Sequence, residues 1–446
     1  MHKFYHIVVF TLILEGVITG QARASSQTID AATGAEQVFT TGYVQRVGAE
    51  EFHREETYGP APAALEEGKE RWRFHKGLRF STAYDANVFN ARTDPKDDLI
   101  HNYRPYMGFS RRGDFHYLET FYHLSYFDYV ENSKQSNLTH LHTLKYEYKK
   151  NKWRLVFANQ YKPEVSVATG ERTELASASS DRVTTESDEA KMEVEYEMTP
   201  KTKLAAFYEY GLMRFSKKKS AQATGFGDQR HALTPKIVYA LTPKTSVYAS
   251  YRFEGVFTKD GEFSTRTALP LAGAKAQLAP KTTLDTSAGW KERDFLEYNQ
   301  PTVDGWIYRA SLSRKLTPKV TSTFSFVRDF NTDYVTTGTQ SSKIDTTFYG
   351  LNVSYAFSRN LSLNAGAGYT LTHQKGLITQ KDIENPTLTF TREDEDEQFE
   401  WDADLRWSPA RDKNLSLAYK STKKNSSFKD SEYDTHKVVG AAEFIF

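Results

Sequence analysis

Asp434-Thr435-His436 is the nearest this sequence comes to a catalytic pair. Residues two apart in an extended chain share a face, so Asp434 could orient His436 as a general base. Such a pair also needs a nucleophile within reach on an adjoining strand, and no Ser–His constellation accompanies it. His140 and His142 share a face as metal ligands could, but no third ligand lies nearby in the sequence, and a zinc site needs one. Glu393 to Glu397, "EDEDE", reads as a solvated loop end that could weakly gather divalent cations, or be bridged by them to lipopolysaccharide phosphates. No catalytic residue, metal ligand or cofactor is assigned, and the chain is read as not an enzyme.

Chemistry of another kind runs along the chain in stripes. Ala190, Met192, Val194, Tyr196 and Met198 alternate with Lys191, Glu193, Glu195 and Glu197. Trp401, Ala403, Leu405 and Trp407 alternate with Glu400, Asp402, Asp404 and Arg406. Successive strand side chains point to opposite faces, so each segment has one apolar and one charged face. Charges in such number cannot fill a dry core, but they can line water. The same parity selects the lumen-lining candidates: Arg79, Asp85, Arg104, Glu119, Arg154, Glu193, Glu195, Lys203, Arg252, Glu254, Asp285, Lys291, Arg293, Arg309, Asp402, Asp404 and Arg406. Lys145, Glu147, Lys162 and Glu209 extend the set, and Tyr117, Phe121, Tyr248 and Phe348 add aromatic rings to it. Glu193 and Glu195 are expected to be wet and close to Arg154 or Lys203.

The elements that must position these stripes repeat. "MTPK", "LTPK", "LAPK" and "LTPK" end at Lys201, Lys244, Lys281 and Lys319, about forty residues apart, which is the length of two strands, a short turn and a longer loop. Proline presets φ for a tight turn and removes a ladder donor from a central strand, so its regular return marks turns. "RRGD" at 111–114 and "KKNK" at 149–152 are short turns of the same kind. About eighteen alternating runs follow, from 76–88 to 433–446, with long polar segments at 166–187, 215–229, 374–396 and 423–432 all on the other side. Short turns on one side and long loops on the other predict an all-β fold: a transmembrane, antiparallel, up-and-down β-barrel of the bacterial outer membrane, apolar face to lipid and charged face to the lumen. The last run, with Val438, Gly440, Ala442, Phe444 and Phe446 on one face, is expected to pair with the first and leave no edge in lipid. A terminal Phe also resembles the signal read by the outer-membrane assembly machinery.

Residues 1–24 read as a signal peptide: Lys3, the apolar run Ile7 to Leu14, then Ala22-Arg23-Ala24 as the cleavage pattern. Residues 25–72 read as a periplasmic lead-in, with a partial plug as the alternative, and 73–446 as the barrel. A net charge of +1 leaves no footprint for nucleic acid, and the absence of cysteine excludes disulfides and thiolate metal sites.

The first hairpin, "FSTAYDANVFNARTDPKDDLIHNYRPYMGFS" at 80–110, resembles the putative β-barrel porin 2 family at Tyr84, Asp85, Asn87, Val88, Phe89, Asp98, Ile100 and Pro105. Members of that family often accompany exopolysaccharide gene clusters. The resemblance implies a conduit or accessory barrel for exopolysaccharide passage, with outer-membrane lipid and lipopolysaccharide, a saccharide polymer, and a periplasmic polysaccharide export protein as partners. Mixed charges and scattered aromatics also suit a neutral or mildly charged polyhydroxylated solute, such as sugar, rather than a strongly ion-selective pore. The alternatives are a general diffusion porin for small polar solutes, a scaffold or adhesion barrel, and a barrel enzyme.

Overall fold

The computed structural model describes residues 71–87, 97–133, 136–166, 183–216, 227–258, 264–296, 302–334, 341–380, 388–410, 412–426 and 432–446. They form a single 18-stranded sheet. Its strands are β1 (Arg71–Asp85), β2 (Asp98–Arg112), β3 (His116–Tyr129), β4 (Asn137–Lys150), β5 (Trp153–Ser166), β6 (Val183–Thr199), β7 (Thr202–Ser216), β8 (Gly227–Thr242) and β9 (Thr245–Thr258), followed by β10 (Thr265–Ala279), β11 (Thr282–Phe295), β12 (Val303–Thr317), β13 (Val320–Tyr334), β14 (Ser341–Ala356), β15 (Leu361–Gln380), β16 (Leu388–Ala410), β17 (Lys413–Ser426) and β18 (Tyr433–Ile445). Each strand pairs antiparallel with its neighbour in sequence, and β18 pairs with β1 through Gly77↔Ile445 to Asp85↔Lys437. The sheet is therefore a closed up-and-down barrel with no edge. Followed from partner to partner once round the wall, the pairing returns to β1 about 22 residues further on. With eighteen strands this stagger tilts them by about 40° and sets a backbone radius of about 17 Å.

The short turns show why "TPK" recurs. Thr199 Oγ1 accepts the amides of Lys201 and Thr202 at 3.2 and 3.0 Å, and Thr317 Oγ1 those of Lys319 and Val320 at 3.2 and 3.0 Å. The hydroxyl thus replaces a ladder partner where the chain reverses, and the proline behind it presets the bend. "LAPK" lacks that hydroxyl, and there Gln277 Nε2 donates to the Pro280 carbonyl at 3.1 Å instead. The turn lysines also tie the rim together: the carbonyls of Lys201, Lys244, Lys281 and Lys319 each accept an amide from the next hairpin at 2.8 Å. In "KKNK" the reversal uses Asn151 at φ 55°, a left-handed conformation that asparagine tolerates.

Burial is inverted relative to a soluble fold. Asp98, Arg104 and Lys291 are buried, whereas Phe74, Leu138, Leu278 and Trp306 are more than half exposed on the outer face. In water each such apolar side chain would forgo about 1.5–3 kcal/mol of transfer energy; against lipid it forgoes nothing. Outward aromatics form two girdles. Trp72 and Phe109 (5.5 Å between centroids) and Trp153 and Tyr196 (4.5 Å) stand toward the short-turn end. Trp290 and Trp306 (5.4 Å), Trp401 and Tyr419 (4.5 Å) and Tyr103 and Tyr126 (6.5 Å) stand toward the loop end. Such girdles mark the two interfaces of an outer-membrane barrel.

The boundaries differ most from the sequence reading at three places. β1 starts at Arg71, so Arg71 and Trp72 are wall residues rather than lead-in. β15 and β16 continue to Gln380 and from Leu388, so much of the segment 374–396 is strand. β6 begins at Val183, inside the segment 166–187. The signal peptide, the rest of the lead-in and the plug alternative lie outside the described residues.

Candidate functional site on the inner wall

The register carries all seventeen lumen candidates to the inner face, along with Tyr117, Phe121, Tyr248 and Phe348. There they assemble into separate ion-pair groups rather than a ring of one sign. Toward the loop end, Arg252 bonds Glu209 at 2.6 Å and Glu254 at 2.9 Å, and Arg293 approaches Glu254 at 3.8 Å while its Nε donates to Thr267 Oγ1 at 3.0 Å. Arg230 stands 4.0 Å from Glu209. Lys291 bonds Asp329 at 2.8 Å, and Arg309 reaches the same carboxylate at 3.5 Å. Beside them Leu269, Ile307 and Phe330 form an apolar cluster, and Lys291 Nζ lies 4.8 Å from the Phe330 ring centroid. The arc spans β7 to β13.

Toward the short-turn end Arg154 is held by Glu147 at 3.2 Å, Glu193 at 3.2 Å and Glu195 at 3.4 Å. These carboxylates are less wet than expected: the side chains of Glu193 and Glu195 are only 12% and 21% exposed. Lys203 pairs with Glu197 at 2.9 Å rather than with either of them, because the turn at Pro200-Lys201 sets Glu197 opposite Lys203. On the facing wall Asp404 bonds Arg406 at 2.5 Å, Lys420 bonds Glu400 at 3.3 Å, and Lys424 bonds Asp396 at 3.2 Å. Asp402 is exposed opposite Lys420 in the register. Asp285 sits opposite Lys275, Arg79 opposite Glu443, and Glu119 opposite Lys145 while accepting the Tyr117 hydroxyl. Arg104 lies on the same inner face of β2, next to Arg79 in the register.

Of the residues that carry the family resemblance, Asp85 and Asn87 stand at the closing seam, Asp98, Ile100 and Pro105 lie on the neighbouring β2, and Val88 and Phe89 lie outside the described residues. Asp85 bonds Lys437 of β18 at 3.2 Å and accepts the Thr435 hydroxyl at 3.4 Å and the Asn87 amide at 3.1 Å. Asn87 Nδ2 donates to the Asp434 carbonyl at 3.4 Å. Asp98 accepts the amides of Glu131 and Asn132 at 3.0 and 2.9 Å and the Asn132 side chain at 2.8 Å, which fixes the β3–β4 connection. Ile100 packs with Ala83 and Phe127 beneath them. Asp329, Lys437 and Lys420 are partners that the sequence reading did not single out. The inward parity of Lys420 could have flagged it; Lys437 needs the closure itself.

The other pairs face lipid. His436 and Asp434 stand 3.5 Å apart on the outer face, where His436 shares a 2.8 Å hydrogen bond with the Tyr419 hydroxyl. His140 packs between Tyr122 and Tyr161 in the loop-side girdle, and His142 is 3.0 Å from Thr120 Oγ1. Among the described residues no three His, Asp or Glu side chains gather as a metal site would require.

Residues 268–443 match the family described as putative beta-barrel porin 2. No curated protein matches the sequence. Similar solved structures include the siderophore receptor PirA from Acinetobacter baumannii, at 5% identity and a TM-score of 0.47, with 85% of this chain and 81% of that one covered. OccK3 (OpdO) from Pseudomonas aeruginosa is 14% identical with a TM-score of 0.44, covering 84% and 95%. OccAB3 from Acinetobacter baumannii is 10% identical with a TM-score of 0.44, covering 84% and 99%. The family that the first hairpin resembles is thus met again over residues 268–443, and the barrel they complete is a porin-like barrel of the bacterial outer membrane, similar over that stretch to the putative beta-barrel porin 2 family.

Proposed function

We propose that this barrel is a conduit, not an enzyme, through which saccharide crosses the outer membrane, foremost a secreted exopolysaccharide handed over by a periplasmic polysaccharide export protein. The observation that carries the reading is the self-compensation of the inner wall. Arg252, Lys291, Arg154 and Lys420 each meet carboxylates on their own or nearby strands. A wall whose charges satisfy one another has little pull on free ions, whereas an ion-selective pore concentrates one sign at a constriction. What it offers a solute is hydroxyl, amide and aromatic surface around a wide lumen. The only His–carboxylate pair the sequence suggested for catalysis stands on the lipid face, which favours transport over chemistry. Outside, lipid and lipopolysaccharide are the contacts of the apolar band.

The full chain in proteoliposomes tests this. Trapped neutral oligosaccharides should escape along with small salts. Retention of oligosaccharides while small solutes pass would replace the proposal with a general diffusion porin.

A further inference from the structure

From the inner wall we infer a binding lane for uncharged saccharide on β14 and β15, a refinement that rests on the conduit reading above. Nearly every other strand contributes described charges to the membrane-level inner face. Between Thr346 and Ser354 on β14, and between Ser362 and Thr372 on β15, every inward side chain is a hydroxyl, an amide or glycine, apart from Phe348. The lane is bounded by Asp329 with Arg309 on one side and by Asp402, Asp404 and Arg406 on the other. A charged wall on β16 therefore flanks the neutral lane, which on the other side continues over Thr321, Thr323, Ser325 and Val327 of β13 before charge returns at Asp329 and at Arg309 on β12.

Phe348 sits in the middle of this lane. Thr370 faces it in the register, and Gly350 faces Gly368 one step along the same inner surface. A Cβ at Gly350 would come 2.7 Å from Phe348 Cε1 and Cζ, and one at Gly368 3.0 Å from Cε2. The ring thus lies across both glycines, along the wall rather than out into the lumen, and only residues without a side chain permit that approach. Tyr248 lies over Gly273 in a similar way, but Lys236 Nζ stands 4.3 Å above its ring, which makes that ring part of a charged group.

A ring along a wall is a platform for the apolar face of a pyranose. Asn352, exposed, and Asn364 beside it supply donors and acceptors for sugar hydroxyls. Both contacts require an uncharged ligand, because a carboxylated or sulfated unit would meet no cation in the lane. The predicted ligand class is a neutral, linear oligosaccharide, held weakly enough to slide.

The test is saturation-transfer NMR on the detergent-folded full chain, with maltoheptaose as the neutral probe and an oligogalacturonate of equal length as the acidic one. The neutral probe should bind better. Phe348→Ala should weaken it about fivefold, the size of one lost aromatic contact, whereas Phe348→Trp should keep it. Asn364→Asp should weaken it as well and keeps the proposal testable if Phe348→Ala fails to fold, with heat-modifiable migration on gels reporting folding. Equal binding of the neutral probe to wild type, Phe348→Ala and Asn364→Asp would overturn the lane while leaving saccharide passage standing. Preference for the acidic probe would overturn the lane as well. Binding of neither probe would overturn both the lane and the conduit reading.

Discussion

Arg154 serves three carboxylates from two neighbouring strands, Glu147 on β4 and Glu193 and Glu195 on β6. The arrangement is asymmetric. Removing one carboxylate leaves the guanidinium well partnered, whereas removing the guanidinium leaves three acids facing one another with little water to screen them. Glu195→Gln should therefore cost only about 0–1 kcal/mol, because Arg154 keeps Glu147 and Glu193 and the amide still accepts a hydrogen bond. Arg154→Gln should cost about 3 kcal/mol, as when one partner of a buried pair is removed. Urea titration of the folded barrel in detergent measures both. Equal costs would mean that the cluster is no more than surface charge. The double variant Glu193→Gln with Glu195→Gln removes two negative charges from the wall, so planar-bilayer selectivity should shift toward anions.

Among the elements, the seam between β1 and β18 is the contact that turns a sheet into a barrel. Asp85 and Lys437 meet across it beneath Asn87 and Thr435. Asp85→Lys and Lys437→Asp should each lower the temperature at which the folded band converts on a gel, and the two together should recover most of the loss. If the double variant is no better than the worse single one, Asp85 and Lys437 do not act as a pair. The strands themselves were legible because lipid outside and water inside impose period-two alternation on every one of them, as in Ala190 to Met198. Strand ends were less legible. "LTFTREDEDE" in β16 holds so many acids on both faces that it reads as loop, although it pairs with β15 from Leu388 onward. Partnerships were legible only where a tight turn fixes the register. Glu197 opposite Lys203 could have been counted from the Pro200-Lys201 turn, but nothing local to Asp85 points to a lysine at the far end of the chain. Asp85 stood out in sequence by its inward parity and by the family resemblance, and Lys437 by neither; their reason, closing the wall, is a long-range one.

For the whole molecule, the central claim is that one face of every strand meets lipid and the other the lumen, and β6 states it most sharply. The chain contains no cysteine, so single cysteines can be introduced without background. Glu193→Cys, Val194→Cys, Glu195→Cys and Tyr196→Cys, reconstituted in lipid vesicles, should differ in their reaction with a charged, membrane-impermeant maleimide. Cysteines at 193 and 195 should react from water, and those at 194 and 196 should stay protected until detergent is added. Reaction confined to 194 and 196 would put the charged stripe in lipid and contradict the fold's orientation, and equal reaction at all four positions would contradict a membrane-spanning strand at β6 altogether.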